Sequence, residues 1–250
     1  MVSPTIFTVP WSDAPRGSRV LLDCLAGPLG LCLRGALPAA DCARYSRGVE
    51  EGRGSWNSDF GGEQFSLGRA WYTHLEQGKS HEYFAGAAES DRTVERHVPG
   101  LVPWIRERIG ELVGAPAVPR RRWCGPGIHI FPAGEWVAQK GGVIHSDIEG
   151  LPEAHVDARA PALSLVLMLQ PPMRGGGLRL WDALHFEDDA LEPERLADVA
   201  RATIDYEPGD LVVFDSYRLH QIQPFEGDRD RLSMTAHAAP FLQEKWDVWF

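Results

Sequence analysis

Five polar residues in the second half of the chain have types and spacings that suit joint chemistry: His145, Asp147, His220, Arg231 and Ser233. Two histidines and one carboxylate on one face of a metal can hold non-haem Fe(II) while leaving positions free for a co-substrate and oxygen. Residues 231 and 233 share one face of a strand, so their side chains can bind one carboxylate of that co-substrate. Together these residues predict an oxygenase.

The His-x-Asp pattern occurs twice, at His145–Asp147 and at His155–Asp157. Side chains two residues apart point the same way in a strand but diverge in a helix. The first pair follows two glycines and two β-branched residues, which favour a strand. The second pair follows Pro152 and has alanine neighbours, which favour a helical turn. We therefore predict the first pair as ligands and keep the second pair as the alternative.

The third ligand must come from a distant strand, and His220 follows the strongly apolar run 211–214. Its competitors are His185, in an acidic insert, and His237, late in the last predicted strand; both are more simply interpreted as non-ligands. Arg229 is the rival of Arg231. It belongs to the turn 227–230, where a surface pair with a neighbouring aspartate is the simpler interpretation.

Composition narrows the classes of protein. A net charge of −10 argues against nucleic acid or an anionic membrane surface as the main partner. The four cysteines form no Cys-x-x-Cys pair, which argues against a structural zinc site and a disulfide scaffold. The sequence has no signal-type segment and no long apolar stretch, so a cytoplasmic location is expected. Its length suits one domain spanning residues 1–250.

The pattern of apolar residues changes near residue 120. Residues 1–120 are predicted to be a mostly helical support region, with helices at 38–48 and within the amphipathic stretch 94–113. Residues 121–250 are predicted to be the catalytic core, with a short helix in the insert 187–201. The predicted strands of this core are 127–131, 136–144, 162–169, 177–181, 203–206, 211–214 and 231–238. Such an array predicts a mainly β sandwich or barrel with flanking α-helices.

The ordered motifs over residues 122–242 resemble the Fe(II)- and 2-oxoglutarate-dependent dioxygenases, particularly their prolyl-hydroxylase-like branch. The resemblance rests on His-x-Asp at 145–147, the apolar run 163–169 leading into glycines 175–177, the segment 208–214 before His220, and Arg-x-Ser at 231–233. It implies a double-stranded β-helix, a jelly-roll or cupin-like barrel with N-terminal helical support. It also implies that His145, Asp147 and His220 bind Fe(II), that Arg231 with Ser233 binds 2-oxoglutarate, and that O2 is the co-substrate.

Two positions bear on how this chain would differ from members of that family. Many relatives have a tyrosine that helps to hold 2-oxoglutarate where this chain has Phe131, so we expect the contact to be absent or to come from elsewhere, with His129 and Gln139 as candidate donors. Related halogenases have a small residue in place of the carboxylate, which frees a position for chloride. The presence of Asp147 therefore favours hydroxylation.

The expected substrate is a small molecule, either a free amino acid or a natural-product intermediate, whose unactivated C–H is hydroxylated with release of succinate and CO2. Glu149, Glu153 and Asp157 would suit a cationic group, although a solvated acidic loop explains them equally well. The first alternative is a hydroxylase of protein or peptide side chains. The second is a non-catalytic metal-binding or sensor protein on the same barrel.

Overall fold

The computed structural model describes residues 5–185, 196–242 and 244–250. The helices of these residues are α1 (Ser18–Leu25), α2 (Ala39–Glu51), α3 (Trp71–Glu76), α4 (Ser80–His97), α5 (Leu101–Val113), α6 (Trp136–Lys140) and α7 (Glu153–Asp157). The strands are β1 (Ile6–Pro10), β2 (Gly30–Arg34), β3 (Asn57–Asp59), β4 (Gln64–Leu67), β5 (Ala117–Pro119), β6 (Gly127–Phe131), β7 (Leu163–Gln170), β8 (Arg174–Gly175), β9 (Leu178–Leu184), β10 (Arg201–Ile204), β11 (Leu211–Asp215), β12 (Arg218–Ile222), β13 (Phe225–Glu226), β14 (Arg231–Leu242) and β15 (Lys245–Trp249).

The predicted N-terminal helices are present, with shifted ends. The run 38–48 corresponds to α2, which begins after Pro38. The amphipathic stretch 94–113 is divided between the end of α4 and the whole of α5, with Gly100 in the left-handed conformation between them. The break lies at Pro99, because proline disfavours the helical conformation of the residue before it. Pro103 lies in the first turn of α5, where its missing N–H costs nothing.

The predicted strand at 136–144 is wrong, because this run begins with helix α6. Val137 and Ala138 are both buried, and adjacent residues of a strand would instead point to opposite faces. Gly141 ends the helix at a φ of 81°, a left-handed conformation that favours glycine. Beyond it the chain runs beside β12, with the Gly142 amide donating to the Ile222 carbonyl at 2.8 Å.

Strands before residue 120 were missed by the sequence prediction. The most important is β2, which pairs with β11 inside the large sheet, with Leu33 opposite Leu211. Four of its five residues are buried, so it shows no alternation of apolar and polar residues that would identify a strand. The other predicted strands are present as β6, β7, β9, β10, β11 and β14. The helix predicted within 187–201 falls largely outside the described residues.

Two sheets face each other across the interior. The larger sheet has the order β1-β2-β11-β7-β14-β6-β4-β3, with β15 and β5 attached through β14, and the smaller has the order β10-β9-β12. Along β7, Leu163, Leu165 and Leu167 pack against helices on the outer face, whereas Val166 packs with Leu178 and Leu180 of β9. Each buried leucine contributes about 1.5–3 kcal/mol. Alternation along the strands thus separates a helix-covered face from an internal face.

Part of the internal face is polar. Ser164 of β7, His129 of β6, and Arg231 and Ser233 of β14 are all buried, and they alternate with apolar residues that pack under the helices. Polar side chains on the covered face of a sheet are costly unless they have partners. This face therefore marks the region where a site is expected. None of the described helices is long and apolar enough to cross a membrane.

A buried acid elsewhere in the large sheet predicts a pH-dependent stability. Asp59, at the end of β3, is 1% exposed, and burial raises its pKa from 3.8 to about 6. The pKa of Asp59 is thus higher in the folded protein than in the unfolded chain. The folded state therefore loses stability as the pH rises from 3.8 to about 6, because ionisation of Asp59 is costly only in the folded protein. We expect Asp59→Asn to raise the free energy of unfolding at pH 8 by at most about 3 kcal/mol, and by less at pH 5. Urea unfolding at both pH values tests this, and an equal gain at both would contradict it.

Candidate active site

His145, Asp147 and His220 form a compact cluster in which the potential ligand atoms lie within 4.8 Å of one another. One Asp147 oxygen is 3.5 Å from His145 Nε2, and the other is 3.5 Å from His220 Nε2. The two histidines face each other across an antiparallel bridge with backbone hydrogen bonds of 3.1 and 2.9 Å. The Asp147 amide donates to the Ser216 carbonyl, which extends this pairing. Backbone pairing thus brings together His145 and His220, which are 75 positions apart in sequence.

Hydrogen bonds orient all three side chains for metal binding. Nδ1 of His145 lies 2.9 Å from the Val143 carbonyl, and Nδ1 of His220 lies 3.0 Å from the Arg218 carbonyl. Donation from Nδ1 to a carbonyl leaves the Nε2 lone pair of each ring free for a metal. The Ser164 hydroxyl donates to Asp147 Oδ2 at 2.5 Å. Two imidazoles and one carboxylate, each held by a further hydrogen bond, fit a divalent transition metal.

The charges in the cluster also suit a cation. Burial alone would raise the pKa of Asp147, but His220, His237 and His145 together hold it well below its usual range. Partial burial opposes protonation of His145, yet the hydrogen bond and charge of Asp147 raise its pKa to about 9. Burial lowers the pKa of His220 to about 4. A metal bound here would replace the proton of His145 as the positive partner of Asp147.

The second His-x-Asp pair does not join this cluster. His155 lies in α7, where its Nε2 is 3.0 Å from the Pro161 carbonyl and its ring contacts Phe241. Asp157 is exposed at the end of the same helix. In the described part of the chain, the candidate metal group contains His145, Asp147 and His220 and no member of the second pair.

The competing histidines differ in their positions. His185 lies beside an outer pocket, with its backbone amide donating to the Tyr217 carbonyl. His237 lies next to the cluster, with Nδ1 3.9 Å from Asp147 Oδ2 and 3.3 Å from the Ser164 hydroxyl. Sequence reasoning set His237 aside because it is late in the strand. It shares the face of Arg231 and Ser233, and that alternation was the signal for its position.

Arg231 is a buried cation without a carboxylate partner among the described residues. It is 1% exposed, and it donates from Nε to the Gly176 carbonyl at 3.0 Å and from a terminal nitrogen to the Ser233 hydroxyl at 2.9 Å. Gly176 has a φ of 70°, and a Cβ there would lie 2.6 Å from Pro172. An unpaired buried charge is costly, so the arrangement favours an anion beside Arg231. Arg229 is exposed and donates to the Pro172 carbonyl.

The anion site and the metal cluster lie on the same internal face. Arg231, Ser233 and His237 alternate along β14, and His237 contacts Asp147. His237 lies four positions after Ser233 along the strand, which is a backbone distance of roughly 13 Å. Asp147 lies outside these strands, two residues after His145, and it approaches β14 at His237. One small molecule with a metal-binding end and an anionic end can therefore contact both.

His129 and Gln139, the two candidate donors in place of the tyrosine hydroxyl that Phe131 lacks, lie in different surroundings. Phe131 is opposite Arg231 in the pairing of β6 with β14, and its ring centroid is 5.5 Å from Arg231 Cζ. His129 is opposite Ser233; its Nδ1 has no described partner, and burial lowers its pKa to about 3. Gln139 is exposed and donates to the Gly134 carbonyl at 2.6 Å. Gln139 thus lies at the surface, and His129 lies two residue pairs nearer the cluster than Phe131 does.

Two pockets adjoin the cluster. The inner pocket is lined by Trp71, Tyr72, His129, Asp147 and His237, among others. The outer pocket lies beside His145, and it has an apolar part and an acidic part. The apolar residues are Ile148, Leu151 and Val156, and the acidic residues are Glu149, Glu153 and Asp157. Glu149 borders both pockets, so one substrate can extend from the outer pocket towards Asp147.

Comparison with known proteins supplies a family model and a fold. Residues 154–249 match the model of the carrier-protein-independent halogenase WelO5. This match includes His220, Arg231 and Ser233 but begins after His145 and Asp147. No curated protein sequence matches the chain at a significant level.

Solved structures resemble most of the chain. An N-substituted L-amino acid dioxygenase from Burkholderia ambifaria AMMD superposes with a TM-score of 0.54 at 15% identity, covering 86% of this chain and 84% of that one. The same dioxygenase in complex with alpha-KG gives a TM-score of 0.53. The non-heme alpha ketoglutarate dependent epimerase SnoN from nogalamycin biosynthesis gives 0.50 at 15% identity, covering 84% and 78%. These likenesses confirm the predicted double-stranded β-helix fold with flanking helices.

Proposed function

We propose that this protein is an Fe(II)- and 2-oxoglutarate-dependent oxygenase that hydroxylates an unactivated C–H bond of a small molecule. The observation that carries the proposal is the His145–Asp147–His220 cluster on the same internal face as the unpaired buried Arg231. The cluster is a suitable ligand set for Fe(II), and Arg231 is suited to bind a carboxylate. A co-substrate that chelates iron at one end and has a carboxylate at the other would contact both.

Each site residue then has one task. The Nε2 atoms of His145 and His220 and a carboxylate oxygen of Asp147 hold the iron, while Ser164 fixes the orientation of that carboxylate. Arg231 and Ser233 bind the far carboxylate of 2-oxoglutarate and so set the direction in which it enters. Bound iron supplies oxidative decarboxylation of 2-oxoglutarate coupled to C–H hydroxylation, with release of succinate and CO2. The protein positions the reactants and excludes water.

The family-model match raises halogenation as a second outcome. The matched residues 154–249 do not include Asp147, the position at which halogenases of this superfamily have a small residue. Here Asp147 is present, accepts a hydrogen bond from Ser164 and lies 3.5 Å from both imidazoles. When iron is bound, this carboxylate would take the position that a halide would need. Hydroxylation is therefore the proposed reaction.

The substrate class follows from the pockets. The outer pocket offers an apolar part for a hydrocarbon portion and the Glu149, Glu153 and Asp157 carboxylates for a cationic nitrogen. A free or N-substituted amino acid has both features. The dioxygenase from Burkholderia ambifaria, which shares the fold, acts on N-substituted L-amino acids, and this supports the same substrate class here. A natural-product amine is the second member of the class.

Turnover with a defined panel tests the reaction and its substrate. Protein loaded with Fe(II), 2-oxoglutarate and oxygen is incubated with free amino acids, N-substituted amino acids and short peptides, with and without bromide. We expect an amino acid to stimulate succinate formation in equal amount to an oxygenated product, with no brominated product. Stimulation by peptides alone would replace the small-molecule proposal with the peptide hydroxylase. A brominated product would overturn the argument from Asp147.

A further inference from the structure

The proposed 2-oxoglutarate site lacks one expected donor. Phe131 lies directly opposite Arg231 and places an aromatic ring without a hydroxyl 5.5 Å from its Cζ. Arg231 already uses two of its N–H groups on Gly176 and Ser233. A carboxylate accepts up to four hydrogen bonds. A further donor beside Arg231 would therefore complete the site.

Tyr206 supplies such a group beside the guanidinium. It lies between β10 and β11, and its ring centroid is also 5.5 Å from Arg231 Cζ. Its hydroxyl is buried beside the Arg231 guanidinium, which can only donate to it, so the hydroxyl proton has no acceptor among the described residues. A buried donor without an acceptor costs about 1–3 kcal/mol. Such a group usually has an unseen partner, such as a ligand.

The electrostatics of the two side chains agree with this arrangement. Burial lowers the pKa of Arg231, and Tyr206 opposes that shift. Burial raises the pKa of Tyr206 far above its usual value, so the hydroxyl keeps its proton. It is therefore a donor at neutral pH. Two buried donors next to each other suit an anion.

We propose that the Tyr206 hydroxyl donates a hydrogen bond to the far carboxylate of 2-oxoglutarate, in place of the hydroxyl that Phe131 lacks. The inference rests on the proposed function, and it assigns Tyr206 as a binding and positioning residue. His129 is less suited to this role, because it lies opposite Ser233 in the pairing of β6 with β14 and lines the inner pocket together with Asp147. Tyr206 comes instead from the connection between the two sheets, beside the guanidinium itself.

The test measures binding instead of turnover. Dissociation constants are determined by anaerobic calorimetry on the Fe(II) protein with 2-oxoglutarate and with 2-oxopentanoate, which has a methyl group in place of the far carboxylate. We expect Tyr206→Phe to weaken 2-oxoglutarate binding about tenfold to a hundredfold, the range for a hydrogen bond to a charged group. Its effect on 2-oxopentanoate should be less than about threefold, since that ligand offers no acceptor there.

The matched control returns a hydroxyl from the opposite strand. Phe131→Tyr in the Tyr206→Phe background should restore most of the lost 2-oxoglutarate affinity, because residue 131 faces the same guanidinium. Unchanged 2-oxoglutarate binding in Tyr206→Phe would overturn the inference. If Tyr206→Phe weakened the binding of 2-oxoglutarate and of 2-oxopentanoate equally, the inference would also be overturned, because the effect would then be structural. Failure of the wild-type protein to bind 2-oxoglutarate would instead overturn the proposed function.

Discussion

His145→Ala should weaken Fe(II) binding by at least about a hundredfold, more than the loss of a group that only orients a ligand. The imidazole is one of three groups around the proposed metal, and the candidate metal group contains no fourth side chain among the described residues. Alanine would leave Asp147 and His220, which hold a divalent ion weakly. Anaerobic calorimetry with Fe(II), supported by the metal content of purified protein, measures the loss.

His155→Ala is the matched control, since it removes the same side chain from the second His-x-Asp pair. His155 lies in α7 with its Nε2 next to the Pro161 carbonyl, outside the cluster. Its removal should leave Fe(II) affinity within about threefold of the wild type, because no ligand is lost. The reverse pattern, with binding lost in His155→Ala and kept in His145→Ala, would move the metal site to residues 155 and 157.

Arg231→Leu should raise the dissociation constant of 2-oxoglutarate by at least about a hundredfold. The guanidinium offers paired, charge-assisted hydrogen bonds to a carboxylate, and each is worth about 1.5–3 kcal/mol. Leucine keeps an apolar volume but has no donor. Anaerobic calorimetry on the Fe(II) protein measures the change, and thermal unfolding shows whether the variant is folded.

Arg229→Leu provides the comparison for that experiment. Arg229 is two residues away, exposed, and donates to the Pro172 carbonyl outside the buried site. Its replacement should change 2-oxoglutarate affinity by less than about threefold, because its charge is screened by solvent. If Arg229→Leu weakened binding and folded Arg231→Leu did not, the anion site would have to be placed in the turn.

Sequence reasoning could anticipate the cluster because each of its signals is local. Two glycines and two β-branched residues before His145 indicated extended backbone, and Pro152 indicated the helical turn at His155. The structure has both. The spacing of Arg231 and Ser233 predicted that they share one face of a strand, and in the structure Arg231 donates to the Ser233 hydroxyl; their binding of a carboxylate stays a prediction. Runs of strand-forming residues also predicted β7 and β14, which carry Ser164, Arg231 and Ser233, whereas β12, which carries His220, was not among the predicted strands.

Other features had no local signal. Strand β2 is buried on both faces, so its sequence does not alternate, and α6 is a short apolar run whose type depends on how Val137 and Ala138 pack. Tyr206 follows a short strand, and it reaches Arg231 because the two sheets pack together. Pairing between distant segments determines such contacts, and a single sequence does not specify that pairing. The division at residue 120 stays a prediction.

Anaerobic titration of the apo-protein with Fe(II) and then 2-oxoglutarate tests the central claim most directly. The claim is that one internal face holds both the metal and the co-substrate. We predict a weak visible charge-transfer band that requires both additions, is lost in His145→Ala, and is followed by succinate formation when oxygen is admitted. Absence of the band, with no succinate after oxygen, would contradict the account and favour a metal-binding protein without catalysis.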